Sequence, residues 1–114
     1  MLSEYIIRLV DRVKEHQSEF AKVNGLPERI KSADLLKFSF ENLAREVEDH
    51  GLSKPRNRRG EHKKVLQKIQ KTIRSLNAYI EHGKTKSEDL TALVVLIPSS
   101  ELLEDLRVLW YYTP

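Results

Sequence analysis

Between Leu66 and Ile80 the apolar residues return at intervals of three and four: Leu66, Ile69, Ile73, Leu76 and Ile80. A strand buries every second side chain, whereas a helix with one apolar face buries every third or fourth, so this run predicts a helix over residues 61–82. The same intervals recur in Leu2, Ile6, Leu9, Val10, Val13 and Phe20, and again in Leu36, Phe40, Leu43 and Val47, predicting helices over 3–23 and 32–49. Ser3 is placed to cap the first, and Asn24-Gly25 with Pro27 ends it. Gly51 followed by Leu52 predicts a left-handed cap on the second helix, and Gly83 a stop for the third.

The C-terminal third is less regular. Ser87-Glu88-Asp89 reads as a cap and acidic first turn for a helix over 88–97 carrying Leu90, Leu93, Val94 and Ile97. The run Leu93-Val94-Val95-Leu96-Ile97 is β-prone, but no second β-branched run exists to pair with it, so the helix is preferred. Ser99 or Ser100 caps a last helix over 100–112, with Leu102, Leu103, Leu106, Leu109 and Trp110 on its apolar side. The expected fold is all-α, a compact four- to five-helix bundle forming a single helical domain over residues 1–114, with a basic loop at 51–60.

Composition narrows the function classes. With no cysteine, the chain has neither a disulfide framework nor a thiolate metal site nor a cysteine nucleophile. None of the four histidines stands four residues from another, no Gly-x-Ser-x-Gly turn or glycine-rich phosphate loop is present, and no metal or cofactor is expected. Glu46, Glu48, Asp49 and His50 read as a solvated helix end, and His16 and Gln17 as satisfied groups at the edge of a buried stripe. The start lacks a signal peptide's basic and apolar regions, and Leu90–Tyr112 is too interrupted by polar residues to span a membrane. A cytoplasmic location away from membranes is expected.

The net charge of +3 conceals a segregated distribution. Residues 1–50 hold eight basic and ten acidic groups, residues 51–86 hold eleven and two, and residues 87–114 hold one and five. On a helical projection Lys63, Lys64, Gln67, Lys68, Gln70, Lys71 and Arg74 lie opposite the apolar face, and the preceding loop adds Lys54, Arg56, Arg58 and Arg59. Arginine grips phosphate with a planar fork, so these nine cations are the expected contacts to a nucleic-acid backbone, RNA or DNA, without sequence specificity. Tyr79 is the only ring on this helix, so base stacking along the strip is not expected.

One short constellation points elsewhere. Arg56-Asn57-Arg58-Arg59-Gly60-Glu61-His62 resembles the arginine, polar residue and later histidine of the HEPN family of small all-helical ribonucleases. The resemblance implies metal-independent RNA cleavage, with Arg56 stabilising phosphate charge, Asn57 at the polar position and His62 as acid or base, in a dimer. A third reading is a protein-interaction adaptor. Leu35 and Phe38 fall off their helix's stripe, and with Trp110, Tyr111 and Tyr112 they make a candidate partner surface. The favoured expectation joins the two surfaces: a non-catalytic module that holds a nucleic-acid backbone and docks on a protein partner or on its own copies, acidic ends meeting the next copy's basic loop.

Overall fold

Two helices of equal length form the spine of the molecule. In the computed structural model, which describes residues 3–111 without the side chain of Tyr111, these are α2 (Leu26–Leu52) and α3 (Gly60–Lys86), 27 residues each and therefore about 40 Å long. They are flanked by α1 (Glu4–Lys22) and α4 (Ser99–Tyr111). The fold is all-α, and a four-helix bundle describes it, with no strand among the described residues.

The α2–α3 pair is an antiparallel hairpin whose facing residues repeat at three and four. Ala33, Leu36, Phe40, Leu43 and Val47 are fully buried on α2, and His62, Val65, Ile69, Thr72, Leu76, Tyr79 and Gly83 are buried on α3. Such a repeat keeps one seam facing the partner helix over many turns. Two glycines bring the backbones close at its ends. A Cβ on Gly51 would lie 3.1 Å from His62 Cβ, and one on Gly83 would lie 3.0 Å from Ile30 Cδ1.

Both glycines thus correct the expectation that they cap their helices. Gly51 lies inside α2, which ends at Leu52, and α3 runs past Gly83 to Lys86 before Ser87 closes it in the left-handed region (φ 54°). The glycine that needs its conformational freedom is Gly25 (φ 87°), in the turn between α1 and α2. Pro27 follows it as an opening residue of α2, so the helix expected from residue 32 starts six residues earlier. Ser3 does cap α1, its Oγ accepting from the Ile6 N–H at 3.2 Å. Leu2 lies outside the described residues.

The helix expected over 88–97 is absent. Only Thr91–Leu93 makes a 3-10 turn, and the rest of the segment is irregular. Its polar groups are spent on the hairpin and on α1: Asp89 pairs with Arg29, the Val95 N–H donates to Ser75 Oγ at 3.0 Å, and the Ile97 carbonyl accepts from Gln17 Nε2 at 3.0 Å. Val94 and Val95, poor helix formers ahead of Pro98, do not oppose the extended course. The segment crosses the bundle and delivers α4, whose Leu102, Leu106 and Leu109 are fully buried. No helix among the described residues is long and apolar enough to cross a membrane.

Arg29 ties four parts of the chain together. Its guanidinium donates to the carbonyls of Phe20 and Val23 at 3.0 and 3.2 Å, meets Asp89 Oδ2 at 3.1 Å, and lies 4.5 Å from the centre of the Phe20 ring. Tyr79, fully buried on the seam, accepts from Arg29 and donates to Asp89 Oδ1 at 2.6 Å. Removing the guanidinium leaves the carbonyls of Phe20 and Val23 without this donor and takes the cation from Asp89, which keeps only the Tyr79 hydroxyl. Arg29→Met is therefore expected to cost about 2–3 kcal/mol, read as a shifted midpoint in urea unfolding followed by circular dichroism.

Candidate functional site

The connection from α2 to α3 is short, basic and held by its own backbone. The Lys54 N–H donates to the Gly51 carbonyl and the Arg58 N–H to the Pro55 carbonyl, closing the 3-10 turn Arg56–Arg58. Arg59 folds back, Nε donating to the Lys54 carbonyl at 2.8 Å and Nη2 to the Leu52 carbonyl at 3.2 Å. Carbonyls orient this guanidinium without neutralising it, so its charge stays available. No side chain caps the start of α3, and beyond Gly60, where a Cβ would meet nothing within 4 Å, the first-turn backbone is open.

This connection overhangs a cleft of about 390 Å³ between the end of α2 and the start of α3. Val47, Gly51, Leu52, His62 and Leu66 form its apolar side, and Arg56, Arg59 and Lys63 bring three cations to it, with Glu48 the single acid. Arg56 and His62, six residues apart in the sequence, thus face one cavity. Lys54 is half-buried beside the histidines, while Asn57 and Arg58 are exposed on the loop and do not line the cleft.

His62 belongs to an aromatic cluster that sequence spacing did not reveal. Only 3% exposed, it places Nε2 2.7 Å from Nδ1 of His50, and the His50 ring stacks on Trp110 with centroids 3.9 Å apart and planes 15° from parallel. One nitrogen of the short contact must carry the proton and the other must accept it. His62 Nδ1 is buried without a partner, and a bare lone pair there costs less than an orphaned N–H, so the arrangement favours His62 donating to His50. Any added proton would force an N–H onto that buried nitrogen or break the contact.

Both histidines are accordingly held below their ordinary pKa. Burial is the main cause for each; the neighbouring His62 and then Lys54 add to it at His50, and Lys54 adds to it at His62. Trp110, expected on a partner surface, is half-buried and stacks on His50 within its own chain. Tyr112 and the side chain of Tyr111 lie outside the described residues.

Away from the cleft the basic strip is exposed, as its projection required, but it is not uniformly free. Lys68 Nζ meets Glu101 at 3.1 Å and Asp105 at 3.0 Å, both from α4, which raises its pKa through those two contacts. Lys64 pairs with Glu61 at 3.3 Å. Lys63, Lys71 and Arg74 make no ion pair among the described residues. The acids that the local sequence lacks are supplied to the middle of the strip from α4, where Glu101 and Asp105 meet Lys68.

Leu35 and Phe38 are 53% and 60% exposed on α2, and Phe38 shares a second groove, of about 460 Å³, with Tyr5, Arg8 and Arg12 of α1. Among the described residues no three histidine or carboxylate side chains come together as a metal centre would require. No protein-family model, curated protein or solved structure matches the chain.

A histidine whose folded-state pKa lies below its unfolded value takes up protons more readily when unfolded. Its contribution to stability is therefore full above the ordinary value near 6.5 and declines as pH falls below it. Thermal stability is expected to drop between pH 7 and pH 5. Trp110, the single tryptophan, should lose emission over the same window as the imidazolium of His50 forms against it. His50→Gln should abolish that fluorescence titration; an unchanged titration in the variant would dissociate it from the pair.

Proposed function

We propose that this chain is a small helical module that binds the phosphate backbone of nucleic acid without sequence specificity, at the α2–α3 connection rather than along the whole outer face of α3. The observation that carries the reading is the convergence of Arg56, Arg59 and Lys63 on one cleft, at an uncapped helix start, with no carboxylate among the described residues pairing any of the three. Fixed cations at a helix N-terminus favour an anion on two counts, through their own charge and through the open N–H groups of the first turn. Lys54 and Arg58 extend the positive surface, and Lys71 and Arg74 form a second, more distant group on α3. Lys64 and Lys68 contribute less, because a polyanion must first displace Glu61 in one case and Glu101 with Asp105 in the other. The exposed Leu35 and Phe38 supply a separate face for a protein partner or a second copy, as a subunit of a larger assembly needs.

The ribonuclease reading retains one specific support, Arg56 and His62 lining the same cleft. Against it, the catalytic ring would have to work while nearly buried, with Nε2 engaged by His50 and Nδ1 enclosed. Incubation with RNA in the presence of a chelator is expected to leave the RNA intact; cleavage that disappears in His62→Ala would make the protein an enzyme instead.

For the binding reading, fluorescence anisotropy with a labelled duplex should show affinity falling with salt along a log–log slope of about −3, the response of three to four neutralised phosphates. Arg56→Glu with Lys63→Glu should remove binding at physiological salt, whereas Lys68→Gln should change it by no more than about two-fold. Binding that survives the double variant, or that depends on Lys68 as strongly as on Lys63, would place the contact elsewhere.

A further inference from the structure

The cleft is lined by two chemistries, and a bare phosphate backbone uses only one of them. Leu52 and Leu66 give it an apolar wall, and Leu52 is 58% exposed at the start of the most basic stretch of the chain. An exposed leucine there gains nothing from a ligand that is all charge. At about 390 Å³ the cavity falls in the range of small-molecule sites, which are mostly apolar with a few placed polar groups. It is larger than a phosphate group needs.

We infer that the cleft takes one unstacked nucleotide of a single strand, base against the apolar wall and phosphate toward Arg56 and Lys63. This rests on the backbone-binding reading and deepens it by naming the substrate class. A flat heterocycle has an apolar face that aliphatic side chains cover and an edge of hydrogen-bonding groups. Glu48, the one acid of the lining, is an acceptor for an exocyclic amino group or a ribose hydroxyl and has no role toward phosphate. Gly60 itself puts no side chain over the first turn of α3, where a phosphate would approach the open N–H groups. A duplex keeps its bases stacked and paired, so it presents the cations with phosphate but leaves the apolar wall uncovered. The binding mode is therefore a single insertion at a charged rim, distinct from the run of aromatic platforms that single-strand binders commonly use.

The test compares three fluorescein-labelled oligonucleotides of equal length by anisotropy at one salt concentration: a single strand, its duplex, and a strand of abasic sugar phosphates. The single strand is expected to bind about ten-fold more tightly than the other two, in the range that covering one base contributes. Leu52→Ser, which removes the apolar surface without adding charge, should bring the single strand down to the duplex level while leaving duplex binding intact, which also shows that the variant is folded. Equal binding of all three, still salt-dependent, would overturn the base site and leave the backbone reading standing. Absence of binding to any of them would overturn both. Adenosine monophosphate is the competing probe. If it binds as tightly as the strand, the occupant is a free nucleotide and the strand proposal fails; displacement only at far higher concentration supports it.

Discussion

The seam between α2 and α3 is the constraint on which the rest of the molecule depends. Two helices about 40 Å long bury one continuous file of side chains between them, and the file is finished at each end by an aromatic residue with a polar tip. At one end Tyr79 reaches out to Arg29 and Asp89; at the other His62 reaches out to His50, and His50 to Trp110. Asp89 lies in the crossing segment and Trp110 near the end of α4. Each polar tip therefore holds a different part of the C-terminal third against the hairpin. The short α4 is fixed by three buried leucines and by these ties, instead of by a long interface of its own.

The two ends differ in how their polar groups are satisfied. Around Tyr79 a cation, a carboxylate and two carbonyls close on one another, and burial with the Asp89 contact holds the phenol above its ordinary pKa. Around His62 stand a second histidine, a lysine and an unpartnered nitrogen, with Glu48 the one acid lining the adjoining cleft. A neutral pair there is the arrangement with the smallest desolvation cost, and it leaves the positive charge of Lys54, Arg56 and Arg59 beside it unbalanced. One end of the hairpin is closed electrostatically, and the other carries cations that make no ion pair among the described residues.

How far the sequence could be read follows from which interactions are local. Helix faces depend on neighbours three and four residues away, so Leu36, Phe40, Leu43, Ile69 and Leu76 were legible, as were the exposed Leu35 and Phe38. Val65, Thr72 and Tyr79 complete the α3 seam at the same intervals, which sets it one residue away from the half-buried Leu66 and Ile73. Gly51 and Gly83 misled because a glycine near a helix end signals either a left-handed cap or a close helix contact, and the residue that decides, His62 or Ile30, is remote in sequence. The 88–97 segment had the right spacing for a helix, but its fate was settled by Arg29, Ser75 and Gln17, each on another element. The pairing of His50 with His62 and Trp110 left no local trace.

Charge follows the same rule with a further consequence. Counted along the chain, α3 presents five cations facing no acid; in space, α4 lies antiparallel beside it and sets Glu101 and Asp105 on Lys68. The acidic C-terminal segment is in part the counter-charge of the basic middle, and such intramolecular pairs compete with an external polyanion for the same lysine. Near the α2–α3 connection α4 instead contributes Trp110, a neutral ring, so no acid from it reaches Arg56, Arg59 or Lys63. The helix that covers the seam thus removes charge from the centre of α3 and preserves it at the loop. A strip continuous in projection is thereby divided into two groups of cations, one at the cleft beside Leu52 and Leu66 and one at Lys71 and Arg74.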